Sequence, residues 1–391
     1  EMTLCMMIDT VVIGDFHWDA LDALKQYMET EWVLDFIKRT PHLDLVVIAG
    51  DYFDTKILLN SRSSIYAIRW MGELVKICRQ RNTKIRIIRG TTSHDNNQLD
   101  AFNSFENENP DQFRIIRTCT AEETFPGFNC LYCPDETIPT KDYMDLYHDR
   151  LFAQKYDAMF FHGSFDVVVP NIAIQESESS GINNVIFKYD TFERIARVMI
   201  GGHWHDGDHH NHMYYTRSLN RWAFNEEKMK GFIYMTYDTD DKSYNIQRVA
   251  NVYTDHYITR SLNTMVFKGM DDYHALMEDI DDMLNRDETS NLRIRIKILI
   301  EDEKVENDNG INALKHHYMN EKRVKIALKN AMKEKKKKED RKKNDLIKSE
   351  FAFVQDKTKT PSQIIQEFIL HQKGRIIPLD VIDDFVNKVL K

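Results

Sequence analysis

Short apolar runs alternate with longer segments of helical periodicity in the first half of the chain. Five of these runs are rich in β-branched or aromatic residues and are bounded by turn residues; they cover residues 10–13, 45–49, 85–88, 158–161 and 198–200. Runs of this length predict buried strands. The segments between them carry apolar residues at helical spacing and predict helices over 19–38, 61–80 and 142–154. Strands that alternate with helices predict an α/β layered fold.

The pattern changes after residue 205, where strands follow one another without helices. Strands are expected over 213–215, 232–237 and 244–249, and they would complete the second sheet of a two-sheet sandwich flanked by helices. A new unit begins near Tyr253, where strands are predicted over 264–267 and 292–300 around a helix over 271–284. We therefore expect a small α+β domain after the sandwich.

Two segments of the second half carry concentrated positive charge. The strand expected over 292–300 places Arg293, Arg295 and Lys297 on one face and isoleucines on the other. This alternation is typical of a half-buried sheet with a solvated face, or of a face that contacts DNA. Residues 312–349 predict a long basic helix that is either a solvated linker or a phosphate-binding segment. It includes the run Lys335, Lys336, Lys337 and Lys338.

The end of the chain predicts two short amphipathic helices, one opening at Pro361 and the other at Pro378. They have no core nearby in sequence, so they would fold back on the chain or, as we favour, dock into the groove of a partner. These patterns divide the chain into a core over 1–252, a small domain over 253–310, a basic helical linker over 311–360 and a helix pair over 361–391.

Composition narrows the function classes. A formal net charge of −9 at pH 7 is a poor match to a protein that coats DNA passively, but it does not exclude an enzyme that acts on DNA, because local charge can differ from the overall charge. The odd count of five cysteines argues against a disulfide framework and indicates a reducing, cytoplasmic compartment. Cys130 and Cys133 have the spacing of a metal knuckle, but they lie in an apolar run and are interpreted as ordinary strand residues. The sequence contains no apolar run of about 18 residues, so no transmembrane helix is expected, and neither a signal peptide nor membrane association is expected.

Each of the five predicted strands runs out into a short motif that contains Asp or His. The motifs are Gly14–His17, Gly50–Asp54, Gly90–Asp95, Phe161–Gly163 and Gly201–His205. Ligands of layered α/β folds bind outside the carboxyl ends of the strands, so these motifs are expected to converge. Imidazoles and carboxylates without thiolates suit manganese, iron or zinc. Two such ions can activate water for phosphoester hydrolysis, which is the chemistry of phosphatases and nucleases.

The motifs resemble those of the calcineurin-like metallophosphoesterase family over roughly residues 8 to 235. Within that family the chain is most similar to the SbcD / Mre-eleven DNA-repair nucleases and their phage recombination counterparts, a likeness that extends to the segment 215–232. The resemblance implies two metal sites that share one carboxylate. The first site would use Asp15, His17 and His205, Asp51 would bridge both, and the second would use His162 and His203.

The resemblance also implies the residues beside the scissile phosphate. His94 would stabilise or protonate the leaving oxygen, and Asp95 would orient His94. Asp54 stands where some relatives carry a catalytic His, and it is expected to assist catalysis by orienting a neighbouring His. The family usually has Gly-Asn-His at this motif, whereas here the segment is two residues longer and Ser93 stands where Asn is expected. Either Ser93 binds the second metal weakly, or a water or a residue such as Asn96 takes that place.

The function implied by the resemblance is a metal-dependent DNA nuclease with 3′-to-5′ exonuclease and single-strand endonuclease action. Its cofactors would be two divalent ions, with manganese as the first candidate and magnesium as the alternative. The small domain would place DNA over the metals, the terminal helix pair would bind an ABC-type ATPase of the SbcC / Rad-fifty class, and the chain would dimerise through residues 61–80. The protein would work in the cytoplasm, or in the host cytoplasm if a phage encodes it. The alternatives are a small-substrate phosphatase or phosphodiesterase of the same fold and a weakly active architectural subunit.

Overall fold

The structure is a computed structural model, and it divides the chain into two compact units. The described residues are 6–168, 185–222, 224, 226, 228–264, 269–287, 291–300, 309–330, 360–373 and 377–383. The first unit comprises residues 1–258 with 284–294, and the second comprises 259–283 with 295–391. The first unit contains two large mixed sheets flanked by helices, which confirms the predicted fold class.

Within the described residues, the first large sheet has six strands, four of them parallel. In spatial order they are Tyr244–Ala250 (β14), Gly231–Asp238 (β13), Met7–Ile13 (β1), Leu45–Ala49 (β2), Lys84–Ile88 (β3) and Phe113–Ile116 (β4). Strands β1 to β4 run parallel, whereas β13 pairs antiparallel with β1 and β14 pairs antiparallel with β13. Three of the motif-bearing strands are therefore direct neighbours, so their carboxyl ends lie at one edge.

The second large sheet carries the two remaining motif-bearing strands at its centre. In spatial order its described strands are His209–His210 (β11), Met213–Tyr215 (β12), Ala196–Gly202 (β10), Tyr156–His162 (β7), Phe128–Cys133 (β6) and Thr120–Phe125 (β5). Strand β10 pairs in parallel with β7, with Gly202 opposite His162. A small parallel pair, Ser164–Phe165 (β8) with Ile186–Phe187 (β9), follows the end of β7.

Helices cover the outer face of each large sheet. The helices of the first unit are Ala23–Arg39 (α1), Arg62–Arg81 (α2), Asn103–Glu108 (α3), Thr140–Tyr147 (α4) and Tyr189–Glu193 (α5), with a 3₁₀ turn at Gln98–Phe102 and a π turn at His148–Phe152. Asp22 caps the start of α1 by accepting a hydrogen bond from the Lys25 N–H, and Ser61 caps α2 by accepting one from the Ser64 N–H. The cap explains why α1 begins later than the predicted residue 19.

Alternating strand residues supply two apolar layers from the same strand. Val11 and Ile13 of β1 belong to the layer beneath α1 and α2, whereas Val12 faces the interior between the two sheets with Phe160 of β7 and Ile200 of β10. Side chains alternate between the faces of a strand, and a strand covered on both faces is therefore apolar throughout. The near-continuous apolar runs of the sequence follow from this double burial.

A small α+β domain follows the sandwich in sequence, and most of it belongs to the second unit. Its described strands form a three-stranded sheet in the order His256–Asn263 (β15), Leu292–Ile300 (β16) and Val324–Asn330 (β17), and its described helices are Met270–Arg286 (α6), Asn309–His317 (α7) and Pro361–Lys373 (α8). Ile296 and Ile298 on β16 are fully buried, as are Ile280 of α6 and Leu314 of α7. Among the described residues, no helix is both long and apolar enough to cross a membrane.

One prediction of secondary structure is wrong in this second half. The long basic helix predicted over 312–349 ends at His317, and Val324–Asn330 forms a strand instead. The many lysines of that segment obscure the alternation of apolar residues that a paired strand requires. The described residues include a strand at His256–Asn263, whereas most of the strand predicted over 264–267 lies outside them, because residues 265–268 are not described. Lys335, Lys336, Lys337 and Lys338 also lie outside them.

Candidate metal centre

Main-chain and side-chain hydrogen bonds fasten the five motifs to one another. The Asp15 N–H donates to the Gly50 carbonyl oxygen at 3.1 Å, which joins the ends of β1 and β2. The His203 N–H donates to the Asp15 carboxylate at 2.9 Å. The His162 ring donates from Nδ1 to the Ala49 carbonyl oxygen at 2.8 Å, because a carbonyl can only accept. The last two bonds cross between the sheets, so the edge of both sheets forms one site.

The backbone of the site is held in conformations that side chains rarely adopt. Positive φ angles occur at Asp15 (53°), His17 (48°), Asp51 (49°) and His203 (101°). Each such residue costs on the order of 1–3 kcal/mol and persists only where its surroundings hold it. Gly90 is subject to a different, steric constraint, because a Cβ atom there would lie 2.1 Å from the Asp51 nitrogen. The loops are therefore built to place these side chains at the expense of local backbone energy.

Asp15, His17 and His205 form the first cluster of possible metal ligands, with ligand atoms all within 4.8 Å of one another. The His205 Nε2 lies 3.7 Å from Asp15 Oδ1, and the His17 Nε2 lies 4.0 Å from the same oxygen. The His17 Nε2 is buried and has no hydrogen-bond partner among the described atoms. An unpartnered buried ring nitrogen beside two carboxylates fits a bound divalent cation, which would occupy its lone pair.

Asp51, His162 and His203 form the second cluster within the same 4.8 Å limit. The His162 Nε2 lies 3.2 Å from Asp51 Oδ2, and the His203 Nδ1 lies 3.3 Å from His162 Nε2. The same oxygen of Asp51 is 3.6 Å from the His17 Nε2 of the first cluster. One carboxylate oxygen of Asp51 therefore lies within 3.6 Å of a histidine nitrogen of each cluster.

The hydroxyl group that contacts the second cluster in the structure belongs to Thr91, at the place where the sequence comparison predicted Ser93, a water or Asn96. Thr91 Oγ1 lies 3.2 Å from Asp51 Oδ2, 3.3 Å from the His162 Nε2 and 3.5 Å from the His203 Nδ1. Ser93 is exposed. Ser93 is expected when the motif is counted back from His94, because the family has Asn directly before its histidine. Thr91 is expected when the motif is counted forward from Gly90, because the family has Asn directly after its glycine. The extra residues lie between the threonine and the histidine.

Asp54 and His94 lie beside the first cluster and, with His17, form a third group of possible ligands. The Asp54 carboxylate accepts a hydrogen bond from His17 Nδ1 at 2.9 Å, so it holds the ring with Nε2 turned into the site. This contact has the form expected for Asp54, that of orienting a neighbouring His. His94 donates from Nδ1 to the main-chain carbonyl oxygen of Asp54, which leaves its Nε2 available to a substrate.

Asp95 does not orient His94, which corrects the expected contact. Its two carboxylate oxygens accept main-chain hydrogen bonds, one from Phe53 at 3.1 Å and one from Gly90 at 2.7 Å. Burial, followed by the negative charge of Asp51, raises the pKa of Asp95 to about 6. Asp95 thus ties the second motif to the third, and it acts on the site by fixing their loops.

The charges of the second cluster are strongly linked. Burial by itself would raise the pKa of Asp51, but the adjacent His162 holds it below its usual range. Burial would likewise lower the pKa of His162, but Asp51 raises it to about 10. Burial and then the positive charge of His162 lower the pKa of His203 to about 4. Asp51 and His162 therefore favour each other's charged form in the absence of a metal ion, and an ion bound by His162 would compete with its proton.

Arg293, Arg295 and Lys297, which are predicted to bind DNA, lie on the polar face of β16. Two of them contact other side chains of the protein. Arg293 contacts the Asp255 carboxylate at 3.3 Å, and Arg295 donates to the Thr259 hydroxyl at 3.1 Å. Lys297 is half-buried on the same face of the strand. The lysine run at 335–338 lies outside the described residues, so the structure bears on the strand alone.

A two-sheet α/β fold with adjacent His and Asp clusters at its strand ends defines a metal-dependent hydrolase. Residues 8–230 match the calcineurin-like phosphoesterase family, which is more than half of the chain. The chain belongs to this family, and its general activity is metal-dependent hydrolysis of phosphoesters. The family binds divalent metals, and the His and Asp clusters offer their sites.

Other comparisons add little to this assignment. A comparison with curated proteins gave no match. Among solved structures, the chain is similar to a cold-active protein-tyrosine phosphatase of the psychrophile Shewanella sp., at 11% identity and a TM-score of 0.28 over 61% of this chain and 80% of that one. Another crystal structure matches at 13% identity and a TM-score of 0.33, over 62% of this chain and 99% of that one. Likenesses this low carry no argument about substrate.

Proposed function

We propose that the chain is a DNA nuclease that hydrolyses phosphodiesters with two divalent metal ions. The observation that carries the proposal is the position of Asp51, whose Oδ2 lies 3.2 Å from His162 of one cluster and 3.6 Å from His17 of the other. A shared carboxylate between two ligand sets is the arrangement that two-metal hydrolysis requires. Manganese is the metal we propose, with magnesium as the alternative.

The proposed metal ligands divide between the clusters. Asp15, His17 and His205 would hold the first ion, and His162 and His203 would hold the second with the Thr91 hydroxyl beside it. Asp51 would serve both. When bound, the ions would supply a nucleophilic hydroxide at neutral pH and neutralise charge that develops on the phosphoryl oxygens.

The remaining residues position these groups and handle the leaving oxygen. Asp54 fixes the ring of His17 through Nδ1, so that Nε2 stays turned toward Asp15 and Asp51. His94 has its Nδ1 engaged by the main chain and presents Nε2, which can donate a hydrogen bond or a proton to the departing sugar oxygen. Asp95 keeps the loop of His94 in register through main-chain bonds.

DNA is proposed as the substrate because of charge and because of the resemblance to SbcD / Mre-eleven nucleases. Lys297 and its arginine neighbours give β16 a cationic face, and the basic segment beyond residue 330 would add sequence-independent attraction to phosphates. We expect 3′-to-5′ exonuclease and single-strand endonuclease action. A small phosphodiester would need neither feature, which is why it ranks second.

Two protein partners belong to the same proposal. The exposed residues Leu58, Leu59 and Ile65 lie just before and in α2, and an apolar surface of this kind suits the proposed dimer contact over 61–80. The terminal segment contains α8 and helical residues at 379–383, which we propose as the docking element for an ABC-type ATPase of the SbcC / Rad-fifty class.

The test is cleavage of end-labelled single- and double-stranded DNA in manganese, in magnesium and with a chelator. We expect manganese-dependent cleavage that is lost in His94→Ala, because that variant has no donor for the leaving oxygen. His148→Ala is the matched control, since His148 is an exposed histidine on the π turn outside the clusters. Activity on bis-p-nitrophenyl phosphate without DNA cleavage would overturn the DNA substrate in favour of a small phosphodiester. Inactivity on both substrates, without and with the ATPase and ATP, would favour the architectural alternative.

A further inference from the structure

Four histidines at the site have an oxygen atom of the protein beside ring nitrogen Nδ1. His17, His94 and His162 each have Nδ1 held by an oxygen of the protein, which leaves Nε2 for the site. His205 has the same arrangement with a different partner, since its Nδ1 lies 3.5 Å from Glu226 Oε1 and its Nε2 lies 3.7 Å from Asp15 Oδ1. Glu226 therefore stands on the opposite side of the ring from the proposed ligand atom.

Glu226 is itself fixed in place by a buried lysine and the main chain. Its Oε2 accepts a hydrogen bond from the Trp222 N–H at 3.1 Å and lies 3.4 Å from the Lys230 ammonium group. Lys230 also donates to the main-chain oxygen of His205 and to Asp206 Oδ1, each at 2.9 Å. One ammonium group thus contacts both the residue to be oriented and the carboxylate that orients it.

The ammonium group of Lys230 is buried, so its charge must be balanced by groups of the protein. Its side chain has 0% exposure, and an unpaired ammonium group in such a place would be strongly unfavourable. Here three oxygens surround it, from His205, Asp206 and Glu226. Lys230 depends on all three partners, because loss of either carboxylate would leave part of its charge uncompensated and loss of the carbonyl oxygen would leave a buried N–H donor unpaired.

The Trp222 ring packs against both histidines of the first cluster. Its ring centre lies 4.5 Å from that of His17 and 4.5 Å from that of His205, edge to face in both cases. The indole therefore restricts the tilt of both imidazoles at the first cluster. Its main-chain N–H is the one that binds Glu226, so the ring and the carboxylate are placed by the same residue.

We propose that Glu226, anchored by Lys230, is the positioning residue that orients His205 for the first metal ion. The inference rests on the proposed function, because it takes His205 as a ligand of that ion. A carboxylate on the far nitrogen of a metal-bound imidazole fixes the ring and strengthens it as a ligand, and loss of such a partner typically lowers metal affinity or activity by about 10–100-fold.

The test is titration of the metal-free full chain with manganese by calorimetry, together with metal content after dialysis. We expect Glu226→Ala to weaken the first site by about 10–100-fold and to leave the second site unchanged. Glu226→Gln retains an oxygen that can accept from Nδ1, so it should lie between Glu226→Ala and the wild type. Asp149→Asn is the matched control, because Asp149 contacts His148 at 2.8 Å in an exposed pair outside the clusters.

A fold defect is separated from a positioning defect by the thermal midpoint of the metal-free protein. A purely structural role would lower that midpoint in Glu226→Ala while the affinity of the first site stayed at the wild-type value, and this result would overturn the inference. The variant His205→Ala separates failure of the positioning role of Glu226 from failure of the proposed ligand role of His205. If His205→Ala loses one bound ion and Glu226→Ala binds as the wild type does, the positioning role fails alone. If His205→Ala keeps both ions, the proposed ligand role of His205 fails first.

Discussion

The position of the Thr91 hydroxyl gives the sharpest test of the second metal site. Thr91→Val removes the hydroxyl and keeps the shape of the side chain, while the Thr91 N–H bond to Asp51 at 2.6 Å remains because it belongs to the main chain. The lost contacts are those of Oγ1 with Asp51, His162 and His203. A hydrogen bond to a charged group contributes about 1.5–3 kcal/mol, which corresponds to about 10–100-fold in affinity.

The assay is manganese titration of the metal-free protein, with the number of ions and each affinity measured. Thr91→Val should weaken one site by about 10–100-fold and leave the other unchanged. Thr91→Asn places a carbonyl oxygen after Gly90, as the family does, and should bind at least as tightly as the wild type. Ser93→Ala is the control, because Ser93 is exposed. If Ser93→Ala loses the ion and Thr91→Val retains it, the reasoning from this loop is refuted.

Two further predictions follow from packing and from a buried charge. Gly90→Ala should bind less metal and have a lower thermal midpoint, since its Cβ would lie 2.1 Å from the Asp51 nitrogen; an unchanged midpoint with full metal content would contradict this. Burial raises the pKa of Glu29 from 4.5 to about 7, although the nearby Lys25 opposes the shift. The folded state then binds more protons between these pH values, so the free energy of unfolding should fall by about 2–3 kcal/mol as pH rises from about 4.5 to about 7. Denaturant unfolding at several pH values should show that Glu29→Gln loses this part of the pH dependence, and identical profiles for the two proteins would be evidence against it.

The sequence was sufficient for the strands and for most of the proposed ligands. The apolar runs at 10–13, 45–49 and 85–88 are strands because both faces are buried, so their local composition reports their environment directly. Asp15 and Asp51 follow those strands at once, so their convergence could be foreseen from the topology of parallel sheets. A local sequence pattern predicts the structure correctly where a single requirement, such as burial of both faces of a strand, determines which residue types occur there.

Only the tertiary structure decided the residues whose role depends on a distant partner. The sequence allowed the motif to be counted either from Gly90 or from His94, and only the folded loop shows that the Thr91 hydroxyl is the one that contacts Asp51, His162 and His203. The strand Val324–Asn330 pairs with a sheet whose other members precede it, so its lysine-rich sequence gave a helical prediction. Glu226 follows the last motif in sequence, and it contacts His205 only because folding brings the two side chains together. Composition and periodicity record burial, whereas orientation of a ring nitrogen depends on contacts that exist only once the chain has folded.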